Sequence, residues 1–348
     1  LASKIGIIGI GAWATAIAKL LSENGIQIIS WSQETELIKD IIKNHINRKY
    51  LDNVPLPKSI LFTSDVEALN ECEILVQAIP TQFIRNIFET YEFDLSTKYI
   101  VNLAKGIEKG TLKRVSEILN DFGISEDRYA ILTGPSHAEE VARRVPTAVV
   151  VASKNESLSK LVQKLFSNTY FRVYTSGDVI GCELGGALKN VIAIAAGIVD
   201  GIASGDMTKV LNSNDNELFL GDNTKAALIT RALAEITRLG VAMGAKPLTF
   251  SGLSGLGDLI VTCNSKFSRN RFVGEQLAKG KTLKEILNNM SAVAEGIDTT
   301  LSAYKLSQKY SVEMPITHKV YDILYNGLDP REALISLMLR EAKPEWWW

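Results

Sequence analysis

The feature that most constrains this chain is a recurrence in its first half. Short apolar runs stand at residues 5–8, 26–30, 74–79, 99–103, 130–133, 148–151 and 171–174. They are rich in Ile and Val and do not alternate polar with apolar, as expected of strands covered on both faces of a sheet. Stretches with helical spacing lie between them, at 13–24, 35–44, 83–89 and 111–119. Strand and helix taking turns in this way predicts a doubly wound α/β domain on parallel strands. Near residue 180 the β-rich runs stop. Helical spacing then dominates at 183–199, 223–243, 269–278, 297–309 and 315–325. The expected architecture is an N-terminal α/β domain over 1–182 and a C-terminal all-helical domain over 183–348, with no Pro/Gly/Ser linker between them. Residues 204–220, rich in Asn, Asp and Ser, predict a surface loop.

Composition removes several function classes. The chain has 348 residues with 38 Lys+Arg against 39 Asp+Glu, a net charge of -1, so the basic excess of a nucleic-acid binder is missing. A hydrophobic share of 46% supports a large core rather than disorder. No uncharged apolar stretch of about 18 residues stands out, so no membrane span is expected. The start, Leu1 to Ile5, runs straight into a folding pattern, and no signal peptide is expected. Cys72, Cys182 and Cys263 are scattered, with no CxxC or Cys/His cluster, so neither a disulfide framework nor a bound metal is expected. A reducing cytoplasm is the compartment this suggests. The terminal Trp346-Trp347-Trp348 has no physical account.

The first motif is a glycine loop. Gly9, Gly11 and Ala14 form G-x-G-x-x-A between an apolar run and an amphipathic helix that stops at Gly25. Gly9 permits the tight turn, Gly11 lets a pyrophosphate approach the backbone, and Ala14 allows helix–strand packing; the helix N-terminus adds amides and a positive dipole end. The other reading is a tight turn with no ligand. The second run ends at Ser30-Trp31-Ser32-Gln33, with no Asp or Glu at the strand end and Glu34 slightly late. An anionic 2′-phosphate is not repelled there, and no Arg waits for it, so NAD and NADP both stay open with a lean to NADP.

The second motif is a lysine in an apolar setting. Residues 183–199 are apolar around nearly the whole helix, yet Lys189 and Asn190 sit in the middle. A buried amine suits proton transfer to an alcohol or carbonyl oxygen. Alternatively, Lys189 snorkels to the surface. Gly185, Gly186 and Ala187 leave room for a backbone or ligand to come close.

Other polar residues each carry two readings. Lys105 follows a strand end, where it either meets a phosphate or carboxylate or stands in solvent. Gly134-Pro135-Ser136-His137-Ala138 follows another; Ser136 either caps the next helix or faces the crevice, and His137 is a surface histidine or a catalytic one. Asp258, ending Gly252-Leu-Ser-Gly-Leu-Gly257, either caps a helix or orients Lys189 and binds hydroxyls. Ser268 precedes Arg269, Asn270 and Arg271 at a helix start, where the dipole disfavours cations; an external anion explains them, and so does a solvated Arg.

Together these residues resemble the bacterial-type NAD(P)-dependent glycerol-3-phosphate dehydrogenase family. The likeness runs along nearly the whole chain, and the most specific segments are Leu-Gly-Gly-Ala-Leu-Lys189-Asn190-Val-Ile-Ala and Ser268-Arg269-Asn270. The resemblance implies a Rossmann-type domain followed by a helical domain similar to that of 6-phosphogluconate dehydrogenase. It implies reversible hydride transfer between NAD(P)H and dihydroxyacetone phosphate, giving sn-glycerol 3-phosphate for phospholipid synthesis, and it allows a homodimer. By similarity Lys189 is the acid/base. Lys105, Gly134, Ser136, Asp258, Ser268, Arg269 and Asn270 hold substrate. Gly9, Gly11, Ala12, Trp13, Gln33, Lys105, Ala138, Arg269 and Glu295 meet the cofactor. Lys105, Lys189 and Arg269 are expected to converge on one small phosphorylated anion. Three departures stand out: Ala14 replaces the usual Gly, Ser32 and Gln33 replace a frequent basic residue, and the 204–220 segment is longer than usual by about a dozen residues, enough to cover a site. The competing readings are another hydroxyacid or sugar-phosphate dehydrogenase of the same architecture, or a dinucleotide sensor without catalysis.

Overall fold

The computed structural model describes residues 4–204, 209–211, 217–290 and 293–345. The chain forms two compact units. The first runs through Glu108 and resumes over Lys113–Glu183; the second takes Lys109–Leu112 and everything from Leu184 on.

In the first unit the order is β1 (Lys4–Ile8), α1 (Ala12–Glu23), β2 (Gln27–Trp31), α2 (Thr35–Asn44), β3 (Ile60–Thr63), β4 (Ile74–Gln77), α3 (Thr81–Thr90), β5 (Tyr99–Asn102), α4 (Val115–Asp121), β6 (Tyr129–Thr133), α5 (Ala138–Ala142), β7 (Thr147–Ser153), α6 (Glu156–Phe166) and β8 (Phe171–Ser176). The sheet order is β3-β2-β1-β4-β5-β6-β7-β8. The order reverses beside β1, which places the glycine loop at the switch point where such sheets take ligands. Ile5, Ile7, Val76, Val101 and Leu132 of the sheet pack with Ile17 and Leu21 of α1 and with Val162 and Phe166 of α6.

The structure corrects three expectations here. The sheet is not wholly parallel: β7 runs antiparallel to β6. The link between them holds only the short α5, too little to walk back across the sheet, so the next strand returns from the same end. Residues 111–119 do not form one helix; Leu112 has φ +62°, and α4 begins only at Val115. A strand also stands at β3, where burial alternates along Ile60–Thr63 as befits an edge. The opposite edge, β8, is closed by side chains: Gln163 Nε2 donates to the Val173 carbonyl at 2.8 Å, and Val173 N donates to Ser167 Oγ at 3.3 Å.

A buried carboxylate organises one corner of this unit. Glu183 accepts from Arg114 Nη1 at 2.6 Å, Ser116 N at 2.8 Å, Ser116 Oγ at 2.7 Å and Tyr129 Oη at 2.7 Å. Burial and the neighbouring Glu183 charge push the Tyr129 phenol well above its ordinary value.

The long helix α7 (Val179–Ala203) carries the chain from the first unit into the second. By length and composition alone it is apolar enough to cross a membrane, although Glu183, Lys189 and Asp200 interrupt it. In this fold its apolar surface is taken up inside the protein, with Leu184, Leu188, Ile192 and Ile194 almost fully buried. The second unit continues with a ribbon of β9 (Lys209–Leu211) and β10 (Glu217–Phe219), then α8 (Asp222–Ala242), α9 (Pro247–Phe250), a π-helical turn at Leu253–Gly257, α10 (Asp258–Asn264), α11 (Arg269–Ala278), α12 (Leu283–Asn288), α13 (Gly296–Lys309), α14 (Pro315–Asn326) and α15 (Pro330–Met338). The antiparallel ribbon pairs Lys209 with Phe219, so the polar 204–220 segment is not all loop; residues 205–208 and 212–216 lie outside the described residues, as do Trp346–Trp348. Helices α7 and α11 touch through their backbones. A Cβ on Gly197 would lie 1.9 Å from the Arg271 carbonyl oxygen, and one on Gly274 1.9 Å from that of Ile194.

One buried acid ties α8 to α14. Glu235 accepts from Ile316 N at 2.7 Å, Thr317 N at 3.2 Å and Thr317 Oγ1 at 3.2 Å. Burial outweighs these donors and pushes its carboxyl up to about 7. A raised carboxyl favours the folded state while it stays protonated. That contribution is present below the unfolded value near 4.5 and is lost as pH rises toward 7. The loss is about 3 kcal/mol at ~1.4 kcal/mol per unit. Denaturant unfolding between pH 4 and 8 checks this. The stability difference between wild type and Glu235→Gln should move in favour of the variant over that range, and a flat difference contradicts it.

Cys72, Cys182 and Cys263 are buried thiols. Burial pushes the Cys72 thiol up to about 11 and Cys263 up to about 12.

Candidate active site

The glycine loop has the form its sequence demands. Gly9 takes φ +112°, a conformation that favours glycine, and its N–H donates to the Trp31 carbonyl at 2.8 Å. Gly11 is the N-cap residue of α1, with no side-chain cap and no acid in the first turn. A Cβ on Gly11 would meet nothing within 4 Å. Ala14 is buried, as close helix–strand packing requires. Ala12 and Trp13 begin α1, and Trp13 packs on Phe171 with ring centroids 6.5 Å apart. Gln77 Oε1 and Thr133 Oγ1, at the carboxyl ends of β4 and β6, are buried without hydrogen-bond partners among the described residues, as is Trp13 Nε1. An uncapped helix N-terminus, open space over Gly11 and unsatisfied polar atoms at strand ends fit an anionic dinucleotide.

Around β5 and β6 the candidate residues gather on one carbonyl. Gly134 has φ +142°, and its oxygen accepts from Lys105 Nζ at 3.0 Å and from Ser136 Oγ at 2.9 Å. Lys105 is therefore held, not loose in solvent. Ser136 does not cap the next helix, since His137 is the N-cap residue of α5 and no side chain caps it. Ala138 is buried at the first position of α5. Gln33 is exposed just past β2, its Oε1 accepting from Tyr91 Oη at 3.4 Å. Glu34 pairs with Lys49 and accepts from Tyr50 Oη at 2.9 Å.

The second unit holds the other centre. Lys189 is 7% exposed and Asp258 0%, and the two form an ion pair. Lys189 Nζ also donates to Thr262 Oγ1 at 2.8 Å. Thr262 donates its own hydroxyl proton to the Asp258 carbonyl at 2.6 Å, which leaves its lone pairs toward the ammonium. Lys189 therefore does not snorkel outward, and Asp258 orients it instead of capping α10. The π-helical turn sets this up: Gly257 N donates to Gly252 O at 3.1 Å, five residues back, and delivers Asp258 to the first position of α10. Gly185 lets α7 approach that turn, since a Cβ there would lie 2.5 Å from the Ser254 oxygen.

Asn270 bridges two further elements. Its Nδ2 donates to Asn190 Oδ1 at 3.0 Å, and its Oδ1 accepts from Gly296 N at 3.0 Å, beside Glu295 at the N-cap of α13. Ser268 caps α11 by accepting from Arg271 N at 3.2 Å. Arg269 is exposed at the first position of that helix, with no ion pair among the described residues. Sequence reasoning missed Thr262 as a site residue, although its spacing of four from Asp258 on one helix was a usable signal.

Comparison with known proteins agrees along the whole chain. Residues 4–159 match the family described as NAD-dependent glycerol-3-phosphate dehydrogenase N-terminus, and residues 178–335 match the C-terminus of the same description. The chain is 49% identical over 344 residues to glycerol-3-phosphate dehydrogenase [NAD(P)+] of Thermoanaerobacter sp. (strain X514), covering 98% of each. It is 47% identical to the enzyme of that name from Lysinibacillus sphaericus (strain C3-41), again covering 98% of each. Among solved structures, glycerol-3-phosphate dehydrogenase from Coxiella burnetii is 34% identical with a TM-score of 0.87, over 97% of this chain and 99% of that one. With both halves matched and such identity along nearly its full length, the chain belongs to the NAD-dependent glycerol-3-phosphate dehydrogenase family.

Proposed function

We propose that this protein is an NAD(P)-dependent oxidoreductase that interconverts dihydroxyacetone phosphate and sn-glycerol 3-phosphate, supplying the latter for glycerophospholipid synthesis in the cytoplasm. The observation that carries the reading is the buried Lys189–Asp258–Thr262 arrangement. When bound, the nicotinamide supplies or takes up the hydride at C2 of the triose. Lys189 supplies the proton. As charge grows on the C2 oxygen, the ammonium stabilises it and then donates, so carbonyl plus hydride plus proton gives the secondary alcohol. In the reverse direction the neutral amine accepts that proton. Asp258 gives the buried ammonium its counter-charge, and both it and Thr262 fix the amine's direction.

The phosphate has its own receptors in this reading. Exposed Arg269 at the start of α11 offers a fork suited to phosphate oxygens, and the helix amides reinforce it. Binding energy gained on the phosphate, remote from C2, aligns a small substrate for reaction. Lys105 and Ser136, gathered on the Gly134 carbonyl, are assigned to substrate and cofactor contact. The glycine loop, Ala12, Trp13, Gln33, Ala138 and Glu295 are assigned to the dinucleotide.

The deciding experiment measures oxidation of NADH and of NADPH side by side with dihydroxyacetone phosphate. Turnover with at least one is expected. If that substrate is inert while a hydroxyacid is turned over, the assignment fails in favour of another dehydrogenase. If NADH binds and no substrate turns over, the protein is a sensor.

A further inference from the structure

We propose that Asn47 is a positioning residue for the dinucleotide, setting the direction in which the peptide between Ile10 and Gly11 points. The inference rests on the reading of the glycine loop as a pyrophosphate site.

Asn47 follows α2, well away in sequence from the loop, and is completely buried at 0% exposure. Its side-chain amide donates one hydrogen to the Ile10 carbonyl at 2.8 Å and the other to Thr15 Oγ1 at 2.9 Å. Its oxygen accepts from Tyr50 N at 3.2 Å. Thr15 Oγ1 donates in turn to the same Ile10 carbonyl at 3.2 Å. A carbonyl only accepts, so the amide nitrogen must face Ile10 and the orientation of the carboxamide is fixed by chemistry. Asn47 is itself anchored, because Leu51 N donates to its carbonyl at 2.8 Å.

The consequence follows from peptide geometry. Among the described residues no peptide bond is cis. In a trans peptide the N–H points opposite to the C=O. Two donors holding the Ile10 carbonyl inward therefore turn the Gly11 N–H outward. A Cβ on Gly11 would find nothing within 4 Å, so its side of the loop is open, and no described residue accepts from the Gly11 amide. Gly9, with φ +112°, already bends the chain. What the buried carboxamide adds is direction. Without it the peptide is free to flip and present a carbonyl oxygen to an anion, replacing attraction by repulsion.

The test uses the full-length protein, with NADH titrated directly by the fluorescence of its bound form. Asn47→Ala is expected to raise the NADH Kd about tenfold or more, the scale of a lost hydrogen bond to a charged group. The KM for dihydroxyacetone phosphate should stay within about twofold. Hydrogen exchange supplies a readout that mere destabilisation would not move: saturating NADH should slow exchange at the Gly11 amide in wild type but not in Asn47→Ala. Thr15→Val keeps the side-chain volume and removes one of the two donors to Ile10, so it should raise the NADH Kd by about threefold and carries the test if Asn47→Ala does not fold. A folded variant whose NADH Kd is unchanged overturns the proposal, as does a parallel loss in cofactor and triose constants. Wild type that binds neither NADH nor NADPH would overturn the dinucleotide reading as well, which separates the two failures; if only NADPH binds, the same titrations are made with it.

Discussion

Lys189→Ala should lower kcat by about 10²- to 10⁴-fold, the range for removal of a positioned acid/base, while NADH binding stays nearly intact. The ammonium is the group placed to protonate the C2 oxygen, whereas the glycine loop belongs to the other unit of the chain. Steady-state kinetics with dihydroxyacetone phosphate, alongside NADH titration, measure both halves. Turnover within about threefold of wild type would refute the assigned role. The variant also strands Asp258, which is 0% exposed, so a stability loss is expected with it. Adding Asp258→Asn to Lys189→Ala removes the orphaned charge. The double variant should recover thermal stability without recovering turnover, which separates chemistry from folding.

The second large effect is on stability. Glu183→Ala should destabilise the protein by ~3–5 kcal/mol, the cost of breaking a buried ion pair from one side. It removes the acceptor of four donors at once and leaves the Arg114 guanidinium, partnered to it at 2.6 Å, with only the half-exposed Glu117 carboxylate at 3.2 Å as counter-charge. Denaturant unfolding monitored by circular dichroism measures the loss. Glu183→Gln retains the shape but turns an N–H₂ toward some of those donors, so it should fall between Ala and wild type. A loss below about 1 kcal/mol for the alanine variant would mean that water replaces the carboxylate, and that the corner is not dry.

Much of this fold was legible because its strands are buried on both faces. The runs at 5–8, 99–103 and 171–174 stand out by composition, and β1, β5 and β8 lie on them. β3 escaped because it is only four residues long, Ile60-Leu61-Phe62-Thr63, an apolar run too short to tell from a loop that buries two side chains. The antiparallel direction of β7 escaped for a different reason. Direction depends on where the chain returns, and the composition of Thr147–Ser153 suits either sense. At the site, Lys189 was conspicuous as a charge inside an apolar helix. Its partner was not, because Asp258 lies 69 residues away and its two local readings, cap and counter-ion, look alike in sequence. Ser136 misled in the opposite way. A serine just ahead of a helix has the composition of a cap, yet Ser136 stands one residue before the N-cap His137 and its hydroxyl turns back to the Gly134 carbonyl. Asn47 gave no signal at all, since its partners are a backbone carbonyl and a threonine hydroxyl that no spacing rule connects.

The three sealed thiols make the protein its own reporter of opening. Cys72 belongs to the first unit, Cys263 to the second, and Cys182 to the opening turns of α7. Each is shielded while covered, because an alkylating reagent needs access to the sulfur, and at Cys72 and Cys263 burial also disfavours the thiolate. The order in which the three sites take up label, read by mass spectrometry under mild stress, is therefore the order in which the parts of the molecule come undone.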